Sequence, residues 1–300
     1  VKLSRSRTQN TIRNFSSGLI KQILNIILPF IIRTIVIYYL GAEYQGLSGL
    51  FTSILQMLSL AELGFSTAVV FALYKPISEK NTDLICALVN YLNKVYKIVG
   101  IVVLGVGLAL LPFLGQLITG YVPENINIYI LYLIYLFNTV ISYWLFAYKS
   151  ALLTAMQRED IVSNIQTVTT VSIRVIQIIF LMLFKNYYVY ILVMPIGTIA
   201  NNIFLQIYSH KLFPQIIPNG KVPNSIRENL NKQIKALLIS KIADTARNSL
   251  DNIIISSFIG LSAVAVYDNY LYIYSGIRGF FLVLVSAMQA SVGNSLVEES

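Results

Sequence analysis

One cysteine, one histidine and one tryptophan are spread over 300 residues, and only 12% of the chain is charged. A single thiol, Cys86, excludes an intrachain disulfide and a cysteine-based metal centre. A single imidazole, His210, with no second His or Cys near it, argues against a transition-metal site and against histidine-dependent catalysis. The chain carries no HExxH pair, no phosphate-cradling Gly-rich loop and no nucleotide-binding motif. Soluble domains carry about 25% charged residues. Half that share, with 56% hydrophobic residues and a mean hydropathy of +0.69, describes a chain integral to a membrane.

What the chain does have is eight long apolar stretches: Leu19–Leu40, Leu47–Leu73, Ile98–Ile118, Ile128–Tyr148, Ile161–Phe184, Val189–Ile207, Ala236–Ile259 and Ala263–Val285. Each is long enough to cross about 30 Å of hydrocarbon as a helix. Strands of a membrane barrel are half as long and alternate in polarity, so the expected fold is an all-α polytopic bundle. The formal charge of +9 would suggest nucleic acid in a soluble protein. Here its distribution gives orientation instead, and no nucleic-acid partner is expected. Fifteen of the 22 Lys and Arg residues fall in one alternating set of loops, and only Lys185 in the other. The positive-inside rule then places the N-terminus in the cytoplasm.

Pro214, Pro218, Gly220 and Pro223 mark a cytoplasmic linker after six spans. The expected division is 1–208 as a six-helix bundle, 209–235 as a basic linker and 236–300 as the start of a second bundle. The segment Lys149–Asp160 fits an amphipathic interfacial helix.

Six bases lie inside the spans: Lys21, Arg33, Arg174, Lys241, Arg247 and Arg278. Four acids accompany them: Glu62, Asp244, Asp251 and Asp268. A Lys, Arg or Asp at mid-span costs about 2.5–3.5 kcal/mol on insertion scales, so such groups face each other, water or a ligand. The basic excess favours an anionic cargo. Lys241, Asp244, Arg247 and Asp251 share an arc of about 120° at 100° per residue. Lys21, Asn25, Pro29 and Arg33 step every four residues, and Thr167, Thr170, Arg174 and Gln177 share a face. These three helices read as cavity walls. The alternatives are snorkelling for Lys21 and Lys241, and structural ion pairs for Arg33, Arg174 and Arg247. Glu62, Asp244 and Asp251 are either structural or couple transport to H⁺ or Na⁺. Asp268, near an outer helix end, reads as interfacial. Tyr129, Tyr132 and Tyr135 read as an aromatic belt, with sugar stacking as the alternative.

The stretch Leu40–Pro76, LGAEYQGLSGLFTSILQMLSLAELGFSTAVVFALYKP, resembles the start of the polysaccharide/O-antigen flippases of the multidrug/oligosaccharidyl-lipid/polysaccharide exporter superfamily. Its sharpest part is the Leu-Ala-acidic-Leu-Gly signature at Leu60–Gly64. Lys241–Gly260, with Asp251-Asn252, and Ala287–Leu296, AMQASVGNSL, are similar to later parts of the same family. The resemblance implies two helical bundles around a central cavity. It also implies alternating-access transfer of a polyprenyl-pyrophosphate-linked glycan across a bacterial plasma membrane, alongside other polysaccharide-assembly membrane proteins. No cofactor beyond a coupling ion is implied. The family has twelve to fourteen spans, so an eight-span chain is expected to lack most of its second bundle. The competing readings are a drug or metabolite exporter of the same superfamily, and a membrane glycan polymerase or glycosyltransferase. The short external loops, with few charged residues, argue against the enzymes.

Overall fold

The computed structural model describes residues 7–59 and 64–298, with side chains excluded at 7–20, 25, 239–241, 243–244, 246–248 and 280–298. Ten α-helices run in chain order: α1 Arg7–Tyr39, α2 Ala42–Leu58, α3 Phe65–Ser78, α4 Thr82–Leu110, α5 Ile128–Trp144, α6 Tyr148–Ala155, α7 Glu159–Phe184, α8 Tyr187–Leu212, α9 Asn224–Phe258 and α10 Leu261–Glu298. A 3₁₀ segment, Leu111–Leu117, extends α4. The described residues contain no strand.

A helix occupies each of the eight expected places, but several differ in detail. Four described helices are long and apolar enough to cross a bilayer: Lys21–Tyr39, Thr82–Leu117, Glu159–Phe184 and Tyr187–Leu212. Ile128–Trp144 with Tyr148–Ala155, bent by 46°, makes a fifth if the pair is one span. The second expected span is two helices. Gly64 has a φ of 108°, a left-handed conformation that a continuing helix cannot hold, and α3 begins after it. The third helix starts earlier than hydropathy indicated, because Asn81 caps it by accepting from the Leu84 amide at 3.1 Å. Lys94 and Lys97 therefore lie on α4 and not in a loop. Asn127 and Asn186 cap α5 and α8 in the same way.

The segment expected as an interfacial helix is corrected. α6 is short and buried, with Lys149, Ala151, Leu152, Leu153 and Ala155 all enclosed. It packs on α3, α4, α7 and α8, and only the strip of Ser150 and Thr154, four residues apart, keeps partial exposure. The irregular part of the linker is confined to 213–223, and it is docked: Asn90 donates to the Gly220 carbonyl at 2.9 Å, and Phe213 and Ile216 are buried.

The bundle has an apolar core and apolar exposed faces. Ile176, Ile179 and Leu183 of α7 and Ile196, Ile203 and Ile207 of α8 are exposed, and a few polar side chains, Gln177, Asn202 and Ser209 among them, are enclosed. Exposed apolar faces suit lipid surroundings. α2 is the hub, touching α1, α4, α5, α9 and α10. Tyr132 and Tyr135 are buried beside it and form neither an aromatic belt nor a sugar platform. Both pack edge-on against Phe51, and the Tyr132 hydroxyl donates to the Gly107 carbonyl. Tyr187 is fully buried, donates to the Tyr44 carbonyl at 3.0 Å and sits 3.3 Å from the Tyr135 hydroxyl. Tyr187→Phe is expected to lower stability by about 1 kcal/mol. Thermal unfolding in detergent measures this, and an unchanged midpoint would show the hydroxyl to be idle.

Candidate functional site

Two polar cavities lie inside the bundle. The first, about 450 Å³, is bounded by α1, α2, α9 and α10. α2 contributes Gln45, Ser48, Thr52, Ser53 and Gln56, a polar stripe at helical spacing. Arg33 enters from α1, Asn252 from α9, and Asp268, Tyr272 and Arg278 from α10.

One hydrogen-bonded network ties these four helices together. The Arg33 guanidinium donates to the Asp268 carboxylate at 3.1 Å and to the Asp268 backbone carbonyl at 3.0 Å. It also lies 4.8 Å from the centre of the Tyr272 ring, a cation–π contact. Asn252 Nδ2 donates to the other Asp268 oxygen at 2.9 Å and to Ser53 Oγ at 2.9 Å. Asn252 Oδ1 is buried without a partner, so a polar group or water in the cavity would satisfy it. Asp268 is therefore not interfacial, as its place near a helix end had implied. It is 8% exposed and holds α10 to α1 and α9. Helix packing brings a residue 235 positions away against it.

The second cavity, about 390 Å³, lies among α1, α5, α7 and α8. Lys21 and Arg174 line it, with carboxamides and hydroxyls. Arg174 donates to Gln177 Oε1 at 3.0 Å, and Gln177 in turn donates to the Tyr190 carbonyl at 3.1 Å. α1 walls both cavities, with Arg33 in the first and Lys21 in the second.

The predicted residues thus divide. Arg33 and Arg278 line the first cavity, and Lys21 and Arg174 the second. Arg33 is paired, whereas Arg174 and Arg278 make no ion pair among the described residues, although Asp268 lines the same cavity as Arg278. Asp251 lines neither of these cavities: the Tyr267 hydroxyl of α10 donates to its carboxylate. Glu62 lies outside the described residues, and so do the side chains of Lys241, Asp244 and Arg247. Sequence reasoning missed the α2 stripe and the amides of the second cavity because it searched for charge. Their signal was the spacing of polar residues three or four apart within apolar helices, as at Asn138 and Ser142 or at Thr198 and Asn201.

Compared with known proteins, residues 11–289 match the polysaccharide biosynthesis protein family. No curated protein and no solved structure matches the chain. The match covers nearly all of a chain whose long helices are apolar on their exposed faces. The chain belongs to the polysaccharide biosynthesis protein family, which includes O-antigen flippase-type members of the multidrug/oligosaccharidyl-lipid/polysaccharide exporter superfamily, and it is a membrane protein with a role in polysaccharide synthesis or export.

Proposed function

We propose that the protein is a flippase that moves a polyprenyl-pyrophosphate-linked oligosaccharide across a bacterial plasma membrane by alternating access. The observation that carries this reading is the first cavity, where Arg278 has no carboxylate partner among the described residues and stands opposite a stripe of neutral polar groups. A pyrophosphate is the kind of anion that such a guanidinium binds, through two parallel hydrogen bonds to its oxygens. The prenyl tail stays in lipid, so only the head group needs the polar interior.

In this reading residues 1–208 form the first bundle, 209–235 the linker and 236–300 the start of the second. The end where α1 joins α2 faces outward, by the distribution of basic residues. There α10 lies tight on α2, and the Ser262 hydroxyl donates to Glu43 at 2.8 Å. That contact fastens α10 to α2 at this end.

Arg278→Ala and Arg174→Ala, made in the native gene, are expected to reduce surface polysaccharide at least tenfold while membrane levels of the protein hold. Immunoblots of membranes and of surface glycan measure both. Normal glycan in the Arg278 variant would sink the proposal, because no other described guanidinium in that cavity is free of a carboxylate.

A further inference from the structure

The second cavity carries a chemistry different from the first. Four carboxamides line it, Asn138, Gln166, Asn201 and Asn202, together with four Ser or Thr hydroxyls. No acid lines it, and its two bases, Lys21 and Arg174, oppose any cation. Arg174 donates to Gln177 Oε1 at 3.0 Å, and with Lys21 it gives the cavity a net positive charge.

The amides are held in place before any ligand arrives. Thr198 donates to Asn138 Oδ1 at 2.7 Å, and Asn201 Nδ2 donates to Asn202 Oδ1 at 3.2 Å. Asn202 Nδ2 reaches the Ser142 carbonyl at 3.3 Å. A carboxamide has two N–H donors and an acceptor oxygen. Among the described residues these bonds leave the Asn138 amide donors and the Thr170 hydroxyl open to the cavity. Fixed amide and hydroxyl groups complement neighbouring hydroxyl groups on a ring, and the two bases beside them admit an acidic sugar as well. The volume falls in the range of pockets that enclose small ligands.

We infer that this cavity is a subsite for sugar residues, separate from the cavity that holds Arg33 and Arg278. The inference rests on the flippase reading, in which the two cavities, both walled by α1, would hold the sugar and phosphate parts of one lipid-linked glycan.

The test uses the full-length protein in nanodiscs and two probes. One is undecaprenyl pyrophosphate without sugar, and the other is the lipid-linked oligosaccharide extracted from the cells that carry the gene. Wild-type protein is expected to bind the glycosylated lipid at least tenfold tighter than the bare one. Thr170→Val, which removes one hydroxyl at nearly constant volume, and Asn138→Leu should each shrink that advantage severalfold. Affinity for the bare lipid should stay unchanged. Equal wild-type affinity for both probes, or equal losses for both in the variants, overturns the subsite and leaves the flippase reading standing. Failure of both probes to bind overturns the flippase reading, and the subsite with it.

Discussion

Asp268→Ala is expected to destabilise the protein by about 3 kcal/mol, at the low end of what breaking a buried ion pair costs because Arg33 keeps some exposure. The substitution strands the Arg33 guanidinium in a mostly buried place and leaves Asn252 without one acceptor. Arg33→Ala is expected to do less harm, since the freed carboxylate retains Asn252 and borders a polar cavity. Asp268→Asn separates charge from geometry: it keeps an acceptor for Asn252 and removes the negative charge, so its loss should fall between those of the parent and Asp268→Ala. A double-mutant cycle over Arg33 and Asp268, read by thermal unfolding in detergent, isolates the pair. A coupling energy below about 0.5 kcal/mol would mean that the network does not fasten α10 to α1. Surface glycan in the same variants tells whether the fastening has to release during transport. Variants that unfold early and still export glycan would make the network purely structural.

The two ends of the Arg33–Asp268 pair show what could be read from sequence and what could not. Arg33 stood out because an intramembrane arginine needs a partner. Its partner did not, because Asp268 lies seven residues past the start of α10 and an acid there has a cheaper explanation. Pairing across 235 positions is a property of packing and leaves no local trace. Local rules would have served better where the physics is local: Asn81, Asn127 and Asn186 open three helices with side-chain caps, but hydropathy alone set the expected starts and placed the first of them at Ile98. The break at Gly64 was hidden because a continuous apolar run masks a turn, although the glycine itself was the clue. The tyrosines of α5 misled because a phenol suits both a membrane interface and a buried hydrogen bond, and only the position of Phe51 decides between them. The amides of the second cavity were passed over because uncharged polar residues cost little in a span and so attract little notice.

Gly46→Val is the second substitution with a large expected effect. A Cβ at Gly46 would overlap the Leu261 backbone carbonyl, which belongs to α10 and cannot rotate away. At Gly49, one turn further along, it would sit 2.9 Å from Asp268 Oδ2. Two glycines three residues apart thus let α2 and α10 approach backbone to backbone, as small residues do between membrane helices. Overpacking of this kind costs about 1–3 kcal/mol, and here the strain has one outlet, separation of α2 from α10. Separation would break the Glu43–Ser262 contact and widen the first cavity between α2 and α10. A cysteine pair at positions 43 and 262, in a Cys86→Ser background, should therefore cross-link readily in the parent and at least severalfold less in Gly46→Val. Surface glycan should fall with it, because a carrier biased to one side cannot cycle. Gly105→Ala supplies the control: nothing lies within 4 Å of its added carbon, so cross-linking and glycan should both stay at parental levels. If Gly46→Val keeps the cross-link and still exports glycan, the α2–α10 contact tolerates bulk, and the pivot of alternating access has to lie elsewhere in the bundle.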